Sequence, residues 1–176
     1  MKILNPSQID KAVDALKKGC VIEIPTDTVN GLVCDYYNKT AEEEIFRIKK
    51  RPKEKILSIF VSSIDEVKKI VPIDTRQEKF LEKVWPGKIT CVIKKDIGGF
   101  RIPNDKFVLE ILKKFGGPLL QTSANISGEP PVGGLPSTVV DLTIWPPKIL
   151  RQGAVSEEEL LAREFRELLT NVTELR

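Results

Sequence analysis

Two segments of the chain combine small hydroxyl and amide side chains with glycine, which are groups suited to binding an oxygen-rich ligand. One is QTSANISG, Gln121–Gly128, and the other is PTDTVNGL, Pro25–Leu32. Each follows an apolar stretch typical of a strand, so each is expected to lie where a strand ends. Hydroxyl and amide groups at such positions can both donate and accept hydrogen bonds. The pattern is typical of a site lining and not of a hydrophobic core.

Within the first segment, Ser123 and Asn125 are two residues apart. Alternation along an extended strand would place both side chains on one face, where they suit a ligand with hydroxyl, carboxylate and phosphate oxygens. The alternative is a polar turn that ends a buried strand, with Gly128 as its left-handed residue. In that conformation Gly128→Val should be poorly tolerated.

A basic motif, KKRP at Lys49–Pro52, lies at the C-terminal edge of a predicted helix. Lys49 and Arg51 could converge there on one anion, with arginine offering a planar fork and lysine a point charge. The alternative is a solvated basic patch at a helix end, which suits the helix dipole.

The chain contains no histidine. This excludes Ser-His-Asp and Cys-His catalysis and removes the commonest general base and metal ligand. The sequence also lacks a GxxxxGK[ST] loop and a GxGxxG fingerprint, so any nucleotide phosphates must be held by side chains and scattered backbone amides. Chemistry that depends on positioning and charge neutralisation is therefore favoured.

The composition is that of a soluble globular protein. Of the 176 residues, 41% are hydrophobic and 30% are charged, with a net charge of +3. Apolar runs stay well below the roughly 20 residues of a membrane helix, and Met1–Pro6 lacks the features of a secretory signal. We expect a cytoplasmic protein with no membrane association, whose mild charge permits a polyanionic ligand without demanding one.

Hydrophobic periodicity predicts helices and strands that do not strictly alternate. The predicted helices are 7–18, 40–50, 63–71, 75–85, 105–115 and 156–169. The predicted strands are 20–24, 31–35, 56–61, 89–95, 118–124, 137–143 and 148–153, and 100–103 is predicted as a short extended piece. This mixture favours an α/β (α+β) fold in which helices flank a twisted mixed β-sheet. No domain boundary is evident, so residues 1–176 are expected to form a single domain.

Three further motifs complete an ordered series: FRIP at Phe100–Pro103, PSTVVDLT at Pro136–Thr143 and ILRQGAVS at Ile149–Ser156. Together with the segments above they resemble the threonylcarbamoyl-AMP synthase family, the YrdC-like proteins. The resemblance extends from Cys20 to about Ser156 and implies a YrdC-like fold. Two departures stand out: Asn30 occupies a position where the family has tyrosine, and a short connector, GEPPVGGLP, replaces a helix and a strand.

The resemblance implies roles for individual residues. Lys49 and Arg51 match the KxR pair that faces the ATP phosphates, and they are the predicted catalytic residues. Ser123 and Asn125 would help to bind the amino acid and ATP. No residue is assigned as a metal ligand.

The remaining matches concern the amino-acid pocket and the nucleotide. Thr26 would enter a threonine pocket that Thr28 lines, Ser137 would add a hydroxyl to it, and Arg101 would grip the substrate carboxylate. Arg151 would contact the nucleotide. The alternatives are an exposed strand-end charge for Arg101, a strand N-terminus for Ser137 and a rim salt bridge for Arg151.

The activity that the resemblance implies is synthesis of threonylcarbamoyl-adenylate and pyrophosphate from L-threonine, bicarbonate and ATP, with Mg²⁺ carried by the nucleotide. The product would serve threonylcarbamoyladenosine modification of tRNA, with tRNA, double-stranded RNA and tRNA-modification proteins as further partners. One alternative is a YrdC-like protein that binds RNA without synthase activity. Another is a carbamoyl-transfer relative of the hydrogenase-maturation type.

The synthase interpretation predicts the effect of two substitutions. Lys49→Ala and Arg51→Ala should each cost about 2 to 4 kcal/mol in turnover if the side chains meet developing phosphate charge. On this interpretation, folding stability should change little.

Overall fold

The computed structural model describes residues 5–50, 52 and 57–160 of the chain. Within these ranges a short 3₁₀ turn, Pro6–Gln8, leads into the first of six α-helices. The helices are α1 Ile9–Lys17, α2 Lys39–Lys49, α3 Ile64–Ile70, α4 Thr75–Val84, α5 Lys106–Phe115 and α6 Glu157–Leu160. None of the described helices is long and apolar enough to cross a membrane.

The described strands form one mixed sheet of eight strands in the order β1-β2-β6-β3-β5-β4-β7-β8. The strands are β1 Ile22–Ile24, β2 Gly31–Asp35, β3 Ser58–Phe60, β4 Ile89–Lys94, β5 Gly98–Arg101, β6 Leu119–Ser123, β7 Thr138–Asp141 and β8 Lys148–Arg151. The pairs β3–β5 and β4–β7 are parallel, and the other neighbours are antiparallel. The expected mixed sheet with flanking helices is confirmed.

Side-chain caps explain where three of the helices begin. The Asn38 side chain accepts from the Ala41 amide at 3.0 Å, and Ser63 accepts from the Glu66 amide at 3.2 Å. Asp74 and Gln77 form a reciprocal capping box at the start of α4. Each cap satisfies a backbone donor that the first helical turn leaves without a partner.

Helices cover the two faces of the sheet unequally. On one face, α1 and α5 pack over β1, β2, β6 and β3, and the apolar cluster between them includes Val33, Phe60 and Leu119. The opposite face carries the larger core, to which Cys91, Phe100 and Val140 contribute. Side chains alternate along a strand, so the residues next to these in β4, β5 and β7 point to the first face, beyond the area where α1 and α5 pack. That half of the first face holds the cavity.

The predicted elements agree with the structure in type, and the boundaries differ by a few residues. The strand predicted at 118–124 ends at Ser123, so Asn125 lies in the following turn and the strand alternation does not extend to it. The closing helix predicted at 156–169 is described only over Glu157–Leu160, and the rest lies outside the described residues. The single-domain assignment of residues 1–176 stays a prediction.

The three cysteines differ in exposure, which predicts their reactivity. Cys34 and Cys91 are buried whereas Cys20 is exposed. Burial raises the pKa of the Cys34 thiol to about 12 and also raises that of Cys91. The thiolate is the reactive form, so iodoacetamide at pH 8 should modify Cys20 alone in the native protein. Mass spectrometry should show one adduct in native protein and three after denaturation; rapid native modification of Cys34 or Cys91 would contradict this.

Candidate functional site

A cavity of about 500 Å³ lies over the half of the sheet face that α1 and α5 leave open. Its floor consists of side chains from β3 to β8, and its walls come from the segments that connect the strands. The lining residues are Thr28, Val29, Leu57, Ser58, Thr90, Val92, Lys95, Gly98, Gly99, Arg101, Gln121, Thr122, Ser123, Pro136, Ser137, Val139, Asp141, Leu150 and Arg151. Five of the residues predicted from the sequence lie in this lining: Thr28, Arg101, Ser123, Ser137 and Arg151.

Strand register explains why residues distant in sequence meet on this floor. Ser58 is paired with both Gln121 and Gly99, Gly99 with Val92, and Val92 with Asp141. Paired residues point to the same face, so these five residues form one row across the sheet. Polar side chains, Gln121 and Asp141, lie at the two ends of the row, and the residues between them are small or apolar.

Glycine creates the space at the centre of the floor. A Cβ atom on Gly99 would lie 2.5 Å from the Cγ2 atom of Thr90, so a larger residue cannot occupy this position unless the Thr90 side chain moves. Gly98 and Gly99 were not predicted as site residues from the sequence. The glycine pair directly before the predicted extended piece 100–103 was a usable signal, because glycine in extended structure often marks a close approach.

The PTDTVNGL segment forms the turn between β1 and β2, and its hydroxyl groups bond within the turn. Thr26 Oγ1 donates to the Val29 carbonyl at 2.7 Å and accepts from the Thr28 amide at 3.1 Å. Thr28 is buried and lines the cavity, whereas Thr26 is absent from the lining and contacts the Thr28 hydroxyl at 3.1 Å. In this structure Thr26 therefore positions Thr28 through hydrogen bonds and does not itself face the cavity.

Arg101 lies in the cavity floor and is only 2% exposed, so the alternative of an exposed strand-end charge is wrong. Its Nε donates to the Gly87 carbonyl at 2.8 Å and its Nη1 to Thr28 Oγ1 at 2.9 Å, and its Nη2 pairs with Asp27. Burial lowers the pKa of the guanidinium, and the charge of Asp27 opposes that shift. If Arg101 binds a substrate carboxylate as predicted, it must do so through the guanidinium N–H groups that do not take part in these three interactions.

Lys49 is also buried, with 1% of its surface exposed. Its ammonium donates to the carbonyls of Ser123 and Asn125, the second at 2.6 Å, and it lies 3.4 Å from the Ser123 hydroxyl. The Lys49 carbonyl in turn accepts from the Ser127 amide at 3.0 Å. Lys49 thus joins the end of β6, where Ser123 lines the cavity, to the loop that follows. The solvated-patch alternative is wrong for this residue.

Arg51, the other member of the predicted pair, lies outside the described residues. Asn125 is half-buried, and its Nδ2 donates to the carbonyls of Ile126 and Glu129. Among the described residues, Asn125 Oδ1 is a buried acceptor without a hydrogen-bond partner. A buried acceptor without a partner destabilises the protein. A ligand that donates a hydrogen bond to Asn125 Oδ1 would therefore be bound more favourably.

Ser137 and Arg151 meet at the opposite side of the cavity. The Ser137 hydroxyl lies 2.8 Å from Thr90 Oγ1, and the Ser137 carbonyl accepts from Arg151 Nη2 at 2.8 Å. Partial burial lowers the pKa of the Arg151 guanidinium. Arg151 is thus bound to a backbone carbonyl in this structure.

The charges around the cavity favour an anionic ligand. Among the described lining residues, Lys95, Arg101 and Arg151 are basic and Asp141 is the only acidic residue. Asp141 Oδ1 accepts from the amide and hydroxyl of Thr143, which fixes the carboxylate at the end of β7. Three further lining residues were not predicted from the sequence, because their place in the cavity depends on strand pairing: Asp141, Thr90 and Lys95.

The connector 128–136 packs against the PTDTVNGL turn. The Asn30 amide donates to the Val132 carbonyl at 2.9 Å, and the Asn30 carbonyl accepts from the Ala124 amide at 2.8 Å. Asn30 therefore joins the connector to the loop after β6 through its backbone. A Cβ atom on Gly134 would lie 2.6 Å from the Thr28 carbonyl, so this glycine permits the close approach.

Two glycines of the connector offer a matched test of that packing. Gly128 and Gly134 both have positive φ, 99° and 143°, but nothing lies within 4 Å of a Cβ on Gly128. Gly128→Ala should cost about 1 to 2 kcal/mol of unfolding free energy from backbone strain alone. Gly134→Ala should cost more because it also collides with Thr28; urea titrations of the two variants compare them directly, and equal losses would contradict the close approach.

Comparisons with known proteins agree with this architecture. Threonylcarbamoyl-AMP synthase of Pyrococcus abyssi is 28% identical over 186 residues, covering 85% of this chain and 55% of that protein. The synthase of Vibrio cholerae (El Tor Inaba) is 35% identical over 137 residues, covering 69% of this chain and 73% of that protein. The crystal structure of P. abyssi Sua5 complexed with L-threonine superposes with a TM-score of 0.83 and 26% identity, covering 92% of this chain and 60% of the other. The chain thus spans little more than half of the archaeal protein.

The family assignment depends on a match over most of the chain. Residues 14–133 match the family model Sua5_yciO_yrdC, which carries the description "Telomere recombination". The matched range includes the cavity-lining residues Thr28, Arg101 and Ser123, and also Lys49. The chain therefore belongs to the Sua5/YciO/YrdC family.

Proposed function

We propose that this protein is a threonylcarbamoyl-AMP synthase, which joins L-threonine, bicarbonate and ATP to give threonylcarbamoyl-adenylate and pyrophosphate. The observation that carries the proposal is the single cavity in which Thr28, Arg101, Ser123, Ser137 and Arg151 meet. Relatives with the synthase name, and a similar fold with L-threonine bound, support it.

The chemistry requires several negative groups to approach one another. The threonine amine attacks the carbon of bicarbonate, water is lost, and a carbamate forms. A carbamate oxygen then attacks the α-phosphorus of ATP, and pyrophosphate leaves. Cations and oriented donors favour such a step more than a covalent nucleophile does, which suits a cavity lined by Lys95, Arg101 and Arg151.

We assign the amino acid to the part of the cavity near Thr28 and Arg101. We assign the nucleotide to the space between Ser123 on one side of the cavity and Arg151 on the opposite side. The unpartnered Asn125 Oδ1, on the loop that Lys49 holds, supports a ligand donor near that loop. Arg51 is proposed to meet the phosphates, as the KxR motif implies. Mg²⁺ is proposed to enter with ATP as part of the substrate, coordinated by its phosphates.

The product is an activated carbamoyl group, so we propose that it is passed to tRNA in threonylcarbamoyladenosine modification, with tRNA-modification proteins as partners. The compartment proposed for this reaction is the cytoplasm.

The decisive test measures pyrophosphate release from MgATP with and without L-threonine and with and without bicarbonate. Release should require both, and mass spectrometry should detect threonylcarbamoyl-adenylate. Arg151→Ala should lower turnover by about tenfold to a hundredfold if its charge meets the nucleotide. Lys148→Ala, on the same strand and exposed, serves as the matched control and should retain activity.

Two outcomes would contradict the proposal: pyrophosphate release that is independent of threonine and bicarbonate, or no release from folded protein. Salt-sensitive retention of RNA without turnover would favour the RNA-binding alternative instead.

A further inference from the structure

The least exposed ion pair of the described residues joins an arginine of the cavity floor to a carboxylate that does not line the cavity. The Asp27 carboxylate and the Arg101 guanidinium are in contact, and their side chains are 8% and 2% exposed. Asp27 uses both oxygens, because Oδ1 accepts from Arg101 and Oδ2 accepts from the Asn104 amide at 3.1 Å. The ion pair is therefore anchored to the backbone and not only to the arginine.

The guanidinium is held from three directions. Besides Asp27, it donates to the Gly87 carbonyl and to Thr28 Oγ1, and its Cζ lies 5.5 Å from the centre of the Phe60 ring. A planar fork with these partners has little freedom to rotate. Loss of the Asp27 carboxylate would remove the partner of Arg101 Nη2 and leave the buried guanidinium without its counter-charge.

The Thr26 and Thr28 hydroxyls adjoin this ion pair, and the direction of each of their hydrogen bonds follows from the number of protons available. A hydroxyl has one proton, and that of Thr26 is donated to the Val29 carbonyl at 2.7 Å. The 3.1 Å contact between the Thr26 and Thr28 hydroxyls must then use the proton of Thr28. Thr28 Oγ1 also accepts from Arg101 at 2.9 Å. One lone pair of Thr28 is left for the cavity, and it can only accept.

We propose that Asp27 is a positioning residue, which orients Arg101 and through it makes Thr28 a hydrogen-bond acceptor toward the ligand. The ligand group at this point must therefore be a donor, namely a hydroxyl or an ammonium group. This assignment rests on the proposed function, in which L-threonine carries both kinds of donor. Asp27 itself need not touch the substrate.

The test is calorimetric titration of L-threonine and, separately, of ATP into the full-length protein and its variants. Asp27→Asn, which keeps the volume but removes the charge, should weaken threonine binding by about tenfold or more. ATP affinity should change much less, which a general loss of structure would not produce. Asp10→Asn, at an exposed ion pair with Lys114, is the matched control and should bind both ligands as the wild type does.

Two variants of Thr28 test the acceptor directly and remain informative if Asp27→Asn fails to fold. Thr28→Val removes the acceptor and should weaken threonine binding, whereas Thr28→Ser keeps the hydroxyl and should weaken it less. Equal threonine affinity in wild type and Asp27→Asn, or in wild type and Thr28→Val, would overturn this assignment while leaving the proposed function intact. A folded wild type that binds no threonine would overturn the proposed function and this assignment with it.

Discussion

Replacement of Lys49 by alanine is expected to lower the free energy of unfolding by about 2 to 4 kcal/mol, because two partly buried carbonyls lose a charged donor. Those carbonyls belong to Ser123 and Asn125, and the ammonium that serves them is 1% exposed. The loop after β6 should become disordered relative to the sheet, and turnover should fall with it.

Urea denaturation followed by tryptophan fluorescence measures the loss of stability. Lys50→Ala is the matched control, since Lys50 is the next residue and is exposed, and its effect should stay within about 0.5 kcal/mol. Lys49→Met, which keeps most of the chain length, should also destabilise because it supplies no donor. Full stability of Lys49→Ala with loss of turnover would contradict the loop-holding role.

This result would differ from the expectation drawn from the sequence, in which Lys49→Ala spares the fold. The structure replaces that expectation because the side chain is buried. A contact of Lys49 with ATP stays a prediction, as does the role of Arg51.

Replacement of Arg101 by alanine is expected to lower the free energy of unfolding by about 3 to 5 kcal/mol, because it leaves the buried Asp27 carboxylate without its cation. The Gly87 carbonyl and the Thr28 hydroxyl lose a donor in the same substitution. Activity should be lost as well, since Arg101 lies in the cavity floor.

Arg76→Ala supplies the control for Arg101→Ala. Arg76 is also an arginine with an acidic neighbour, Asp74 at 3.7 Å, but its side chain is 64% exposed. Its removal should cost less than about 1 kcal/mol.

A double-mutant cycle separates the ion pair from packing. The double variant Asp27→Ala/Arg101→Ala should lose less stability than the sum of the two single variants, because no buried charge is left alone. Additive losses would contradict a coupled pair.

Local sequence patterns were sufficient to predict the type of each described element. Helical periodicity and capping residues such as Ser63 involve neighbours close in sequence, so they can be recognised without knowledge of tertiary contacts. The mixed sheet followed from the same patterns. The strand boundary at Ser123 was missed because the turn that follows it is held by Lys49, 74 residues away.

The sequence by itself determined the elements, the family resemblance and the segments that carry polar groups. The tertiary structure decided which of those groups share a cavity, that Lys49 is buried against a distant loop, and that Asp27 neutralises Arg101 across 74 residues. It also revealed Asp141 and Gly99 as lining residues. The physical reason is that burial and strand register depend on contacts between residues far apart along the chain, and a local pattern carries no information about which distant residue will become the partner.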